Sequence, residues 1–157
     1  MASVDPIEVV EGHERLTEIF GGWPSFHDAE VTGIRLERRG RDEWEGPIAF
    51  VSVHVCEGYR EDERSTIVKW RKHTVVTFRF SRVVDVSMTD FNQQNAIWDL
   101  TFETGRPEST DLTWVGPAYR VTFQPSFGVG FSFVCASAEV DSVEGTCPEG
   151  SVYAQPA

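Results

Sequence analysis

His27, Asp28 and Glu30 fall within four positions of one another in the stretch GGWPSFHDAEV, residues 21–31. An imidazole beside carboxylates is what a metal site or an acid–base pair uses. Their spacing is not that of two histidines one helical turn apart around a glutamate. The nearest other histidine on a strand-like segment is His54, which could join them only if the fold brings it there. A small metal-dependent hydrolase built on His27, Asp28 and Glu30 is therefore one reading. The other is architectural: Pro24 fixes a backbone dihedral, Ser25 or Asp28 bonds turn amides, and Trp23 and Phe26 seal a helix end against a sheet. The architectural reading is preferred, and no catalytic residue, metal ligand or cofactor is assigned.

A second polar block, DFNQQN, sets Asn92, Gln93, Gln94 and Asn95 ahead of an apolar strand. Amides do not act as acids or nucleophiles near neutral pH, but they bond backbone in both directions, which suits loop staples or binding contacts. No phosphate loop, nucleophile elbow or Ser/His/Asp order is present. Cys56, Cys135 and Cys147 are an odd set without a CxxC pair, so neither a disulfide framework nor a zinc knuckle is indicated and all three are expected as thiols.

The elements that would position these residues follow from periodicity. Asp5 and Pro6 stand as an N-cap and first-turn proline for an amphipathic helix to Phe20, which Gly21 and Gly22 end. Alternation then marks strands over Glu30–Arg38, around Ala49–Cys56, and from His73 to Met88 with a break at Ser81 and Arg82. Further strands follow at Ala96–Glu103, Tyr119–Phe123 and Val129–Cys135, the last two as a hairpin. In the Ala96 strand, Ala96, Trp98, Leu100 and Phe102 are expected on one face. The fold class is α+β and mainly β, a short N-terminal helix followed by a largely antiparallel sheet of about six to eight strands. One domain spans residues 1–157, with its ordered core near 5–141 and a loose tail over 142–157.

Fourteen basic against 25 acidic residues give a formal charge of −11, which repels nucleic acid and favours a basic protein partner. Trp44, Trp70 and Trp114 lie beside turns or charges, and with Glu45, Glu61, Asp62 and Glu63 they are the candidate partner-binding residues. No apolar run approaches a membrane span and no signal-peptide pattern opens the chain, so a cytoplasmic protein is expected. Oligomeric state is not legible.

WPSFHDAEV after a short helix, DFNQQN opening a later strand, and FVCASAEV at Phe133–Val140 together resemble the immunity protein 50 family of bacterial polymorphic toxin systems, from about Leu16 to Val140. The resemblance implies a small cytoplasmic α+β protein that neutralises a cognate toxin by binding it and carries out no reaction. It marks Trp23 to Asp28, Glu30, Asn92, Gln94 and Asn95 as family-motif positions. Many members carry histidine where this chain has Gln93, so no metal or proton role is carried over to that position.

Overall fold

The computed structural model describes residues 1–109 and 113–154. Asp5 caps the first helix, α1 (Pro6–Val9), by accepting from the Ile7 amide at 3.1 Å, with Pro6 in the first turn where it loses no hydrogen bond. The single helix expected as far as Phe20 is in fact interrupted. Val9 and Val10 are β-branched, and Gly12 takes φ +79°, so the chain leaves α1 for a two-residue strand, β1 (Val10–Glu11). That strand buries Val10 beside Ala138. Helix α2 (Glu14–Phe20) then turns Leu16 into the core and ends on Gly21, left-handed at φ +77°, whose amide bonds the Thr17 carbonyl.

Eight further strands follow: β2 (Glu30–Glu37), β3 (Ile48–Tyr59), β4 (Lys69–Ser81), β5 (Val84–Thr89), β6 (Ala96–Thr104), β7 (Tyr119–Phe127), β8 (Gly130–Cys135) and β9 (Ser137–Glu144). They form one sheet in the order β1-β9-β4-β3-β2-β6-β7-β8-β5, antiparallel except for β1 with β9. The α+β, mainly β class holds, with nine strands where six to eight were expected. One addition is β1. Another arises because FVCASAEV divides between two strands: the chain breaks at Ala136, whose amide bonds the Ser81 carbonyl, and β8 and β9 pair with different neighbours. The break expected near Ser81 and Arg82 is present, with Arg82 at φ +53°, and it sends β5 away from β4 to the far edge beside β8.

The sheet curls on itself. Between β4 and β7 lie four strand steps, roughly 19 Å at the usual spacing, yet the rings of Phe80 and Phe123 are 6.3 Å apart. Phe80 and Phe133, five steps apart, stand at 4.8 Å. The two halves therefore face each other over one core that includes Val51, Val53, Phe78, Phe80, Phe102, Val121, Phe123 and Phe133. The bend sits where β2 meets β6 through the single pair Glu30 and Ala96, with register shifts on both strands there. Those shifts correct the expected face of β6. Ile97 turns inward and is fully buried, whereas Trp98 turns outward and is 58% exposed.

The expected core boundary at 141 falls inside β9, which runs to Glu144. Beyond it the chain folds back across the outer face of β2 and β3. The Ser151 hydroxyl donates to Glu30 Oε1 at 2.5 Å, the Val152 amide to Glu30 Oε2 at 3.3 Å, and the Tyr153 hydroxyl to the Asp28 carbonyl at 2.7 Å. Residues 155–157 of the expected tail lie outside the described residues. Among the described residues no helix is long and apolar enough to cross a membrane.

Candidate functional site

The segment after α2 plugs one end of the curled sheet. Trp23 is half-buried, with its ring 5.5 Å from Phe26, 6.1 Å from Phe78 and 6.5 Å from Phe102, while Pro24 and Phe26 are buried. Ser25 Oγ accepts from the His27 amide at 3.3 Å. Asp28 takes φ +63°, and its amide bonds the Ile97 carbonyl at 2.8 Å, which stitches the turn to β6.

That turn separates the three residues whose spacing suggested chemistry. His27 and Asp28 are about half exposed, 3.5 Å apart; His27 Nδ1 donates to the Trp98 carbonyl at 3.0 Å, and its ring stands edge-on to the indole at 4.5 Å. Glu30, at the start of β2, is buried and points to His54, its cross-strand partner on β3. Glu30 Oε1 accepts from His54 Nδ1 at 2.8 Å, and His54 Nε2 lies 3.0 Å from His73 Nδ1 on β4. With Nδ1–H donated to the Glu30 carboxylate, His54 turns Nε2 towards His73. Burial alone would raise the Glu30 carboxyl, but hydrogen bonds from His54, Ser151 and Val152 outweigh it and hold the group below the ordinary 4.5. Burial and the neighbouring His54 hold His73 below 6.5.

Ser151 does not turn this array into a nucleophilic triad. Its hydroxyl gives its proton to Glu30 and lies 3.4 Å from His54 Nδ1, the same nitrogen the carboxylate occupies. A triad needs the serine on the opposite ring nitrogen, which here faces His73. Beside the array lies a cleft of about 410 Å³ lined by Trp23, His27, Asp28, His54, Cys56, Trp70 and Tyr153. Burial, with the nearby charge of Glu30, pushes the Cys56 thiol up to about 12 and helps push the Tyr153 phenol to about 12.

The amide block is a staple. Asn92 Oδ1 accepts from the amides of Gln94 and Asn95 at 2.9 and 2.8 Å. Asn95 is buried; its Oδ1 accepts from Asn92 N at 2.7 Å and Val129 N at 3.2 Å, and its Nδ2 donates to the Val31 carbonyl at 3.3 Å. It thereby ties the β5–β6 loop to β2 and to the β7–β8 turn. Gly128 in that turn has φ +107°, and a Cβ there would fall 2.6 Å from Asn92 Oδ1. Gln93 is exposed.

The candidate partner-binding residues fall at two separate ends. Trp44, 78% exposed, Glu45 and Trp114 gather near Arg82, whose guanidinium lies 4.4 Å over the Trp114 ring and whose amide bonds the Glu45 carbonyl. The Glu45 side chain is held by Arg79 at 3.0 Å and by the Arg41 amide at 2.6 Å. At the other end of β3, Glu61 pairs with Lys69, Asp62 caps the Arg64 and Ser65 amides, Glu63 is exposed, and Trp70 packs on Tyr153 at 4.6 Å. Residue spacing missed Trp98, His73, Ser151 and Tyr153. Alternation along β3 and β4 could have set His54 and His73 on the outer face, but their register depends on strand pairing that local pattern does not encode.

Searches of curated proteins and of solved structures returned no match. A protein-family comparison matches residues 12–146 to Immunity protein 50, spanning both polar blocks, the Glu30–His54–His73 array and β9. The chain belongs to the immunity protein 50 family.

Proposed function

We propose that this protein acts in the bacterial cytoplasm as an immunity protein, neutralising a cognate toxin by binding and occluding it. The family match over residues 12–146 carries the reading. Two physical features support it. The formal charge of −11 suits a basic partner, since opposite fields speed encounter and penalise wrong pairings. The cleft end carries what a hot spot needs: exposed Trp98 against His27, half-buried Trp70, and the acidic side chains of Asp28 and Glu57 in the lining, with Asp62 and Glu63 exposed on the loop that joins β3 to β4. Trp44, Glu45 and Trp114 at the opposite end form the second candidate surface.

The hydrolase reading loses its geometry, because Glu30 is committed to His54 and Ser151 and does not face a reacting group alongside His27 and Asp28. The proposal is tested by co-expressing the chain with the product of the neighbouring gene as the candidate toxin. Rescue of growth and recovery of a one-to-one complex whose affinity falls with added salt are expected. Failure of the toxin to bind, with growth still arrested, overturns it.

A further inference from the structure

The Glu30–His54–His73 array continues into the segment after β9. One nitrogen from His54, one from His73 and the sulfur of Cys147 lie within 4.8 Å of one another, and this is the group of potential metal ligands found among the described residues. His54 is buried, the other two half-buried. We propose that His54, His73 and Cys147 bind a zinc ion that fastens the C-terminal segment to the outer face of the sheet. This site is independent of the toxin-binding reading and does not use His27 or Asp28.

Three features point the same way. First, the two facing nitrogens are 3.0 Å apart. Two imidazoles bound tetrahedrally at about 2.0 Å from zinc have their nitrogens about 3.3 Å apart, and a thiolate at about 2.3 Å lies about 3.6 Å from each. The pair is therefore nearly at ligand spacing already, and Cys147, in the irregular stretch after β9, needs to close by about 1.2 Å at most. Secondly, His54 has the outer partner that metal-bound histidines use. The Glu30 carboxylate takes the Nδ1 proton at 2.8 Å, fixes the ring's orientation and leaves the Nε2 lone pair for the metal. His73 also has a backbone hydrogen bond with Trp70. Thirdly, two imidazoles and one thiolate are a donor set suited to zinc and poorly suited to magnesium or calcium. The fourth tetrahedral position falls to solvent or to the neighbouring Cys56 thiol.

The segment explains why a metal would matter. Between Glu144 and Ala154 it has no strand or helix, and it is held by Ser151, Val152 and Tyr153. Cys147 adds an anchor at its start, so zinc would close the cover over His54 from both ends.

The test uses the full-length, tag-free protein stripped with a chelator and titrated with cobalt(II), then zinc. Saturation at one equivalent is expected, with the intense visible absorption of tetrahedral cobalt and a thiolate-to-cobalt charge-transfer band, both abolished by zinc displacement. Cys147→Ser should lose the charge-transfer band, His73→Ala should weaken binding at least tenfold, and Cys135→Ala, with its thiol elsewhere in the core, should retain both features. Zinc at a hundred times its Kd should raise Tm by roughly 5–10 °C. His73 and Cys147 are half-buried, so both variants can be checked for native fold by circular dichroism. No saturable uptake, or a spectrum unchanged by Cys147→Ser in a folded protein, overturns the site.

Discussion

Asn95→Ala removes a single side chain that three elements share. In the native structure its amide satisfies the Val129 N–H at 3.2 Å, the Asn92 N–H at 2.7 Å and the Val31 carbonyl at 3.3 Å. Val129 and Val31 are buried at 0% and 2% exposure, so water reaches their backbone groups poorly. An orphaned buried donor costs about 1–3 kcal/mol, and a carbonyl that loses one of two possible partners falls at the low end of that range. Asn95 also holds φ +51°, a conformation asparagine tolerates and alanine pays about 1 kcal/mol to adopt. The sum is about 3–4 kcal/mol, a large share of the 5–15 kcal/mol that keeps an ordinary domain folded. At about 2–4 °C per kcal/mol for a chain of this size, Tm should fall by roughly 6–16 °C. Urea denaturation monitored by tryptophan fluorescence measures this as a lower midpoint at unchanged slope. A loss below about 1 kcal/mol would refute the claim that the DFNQQN block is a structural staple, and would make Asn95 a candidate contact residue instead.

Arg79 is buried between Glu45 and Glu139, at 3.0 and 3.3 Å, and Arg79→Ala leaves the two carboxylates with only the more exposed Arg41, whose guanidinium pairs with Glu139 at 3.0 Å. A Tm fall of roughly 5–10 °C is expected by calorimetry. The same pair gives an acid limb to stability. Hydrogen bonds from Arg79 and from the Arg41 amide hold the Glu45 carboxyl below 4.5 when folded. Its contribution is therefore present above 4.5 and lost as pH falls through the folded value, and Arg79→Ala should flatten the stability profile over that window. Burial pushes the Cys135 thiol up to about 12. At pH 8 it should react with a thiol reagent roughly 10³-fold more slowly than a free cysteine, and should become reactive on unfolding, as read by mass spectrometry of the labelled peptide.

What the sequence revealed depended on whether the information was local. The Asp5 cap, the Gly21 stop, the break at Arg82 and most strands follow from dihedral preference and alternation over a few residues, and the structure reproduces them. The interruption of the first helix was also local, in Val9, Val10 and Gly12, but apolar spacing masked it. Trp98 was placed on the wrong face because a register shift at Ile97 reverses the alternation, and that shift comes from the bend where β2 meets β6. The three polar residues of the first block part for a related reason. His27, Asp28 and Glu30 are close in sequence, yet the left-handed turn at Asp28 sends Glu30 beneath the sheet surface while the other two remain at the rim. Glu30 meets residues 54, 73 and 151, whose convergence depends on strand register and on a tail that composition alone marked as loose.

The proposed role is the binding of a toxin. Calorimetric titration of the purified chain with the product of the neighbouring gene tests it most directly, at low and at physiological salt, alongside Trp98→Ala and an Asp62→Lys, Glu63→Lys double variant. The account predicts one-to-one binding, weakened by salt, reduced at least tenfold by Trp98→Ala and reduced also by the charge reversal. Absence of binding, in a folded protein facing an active toxin, would contradict it.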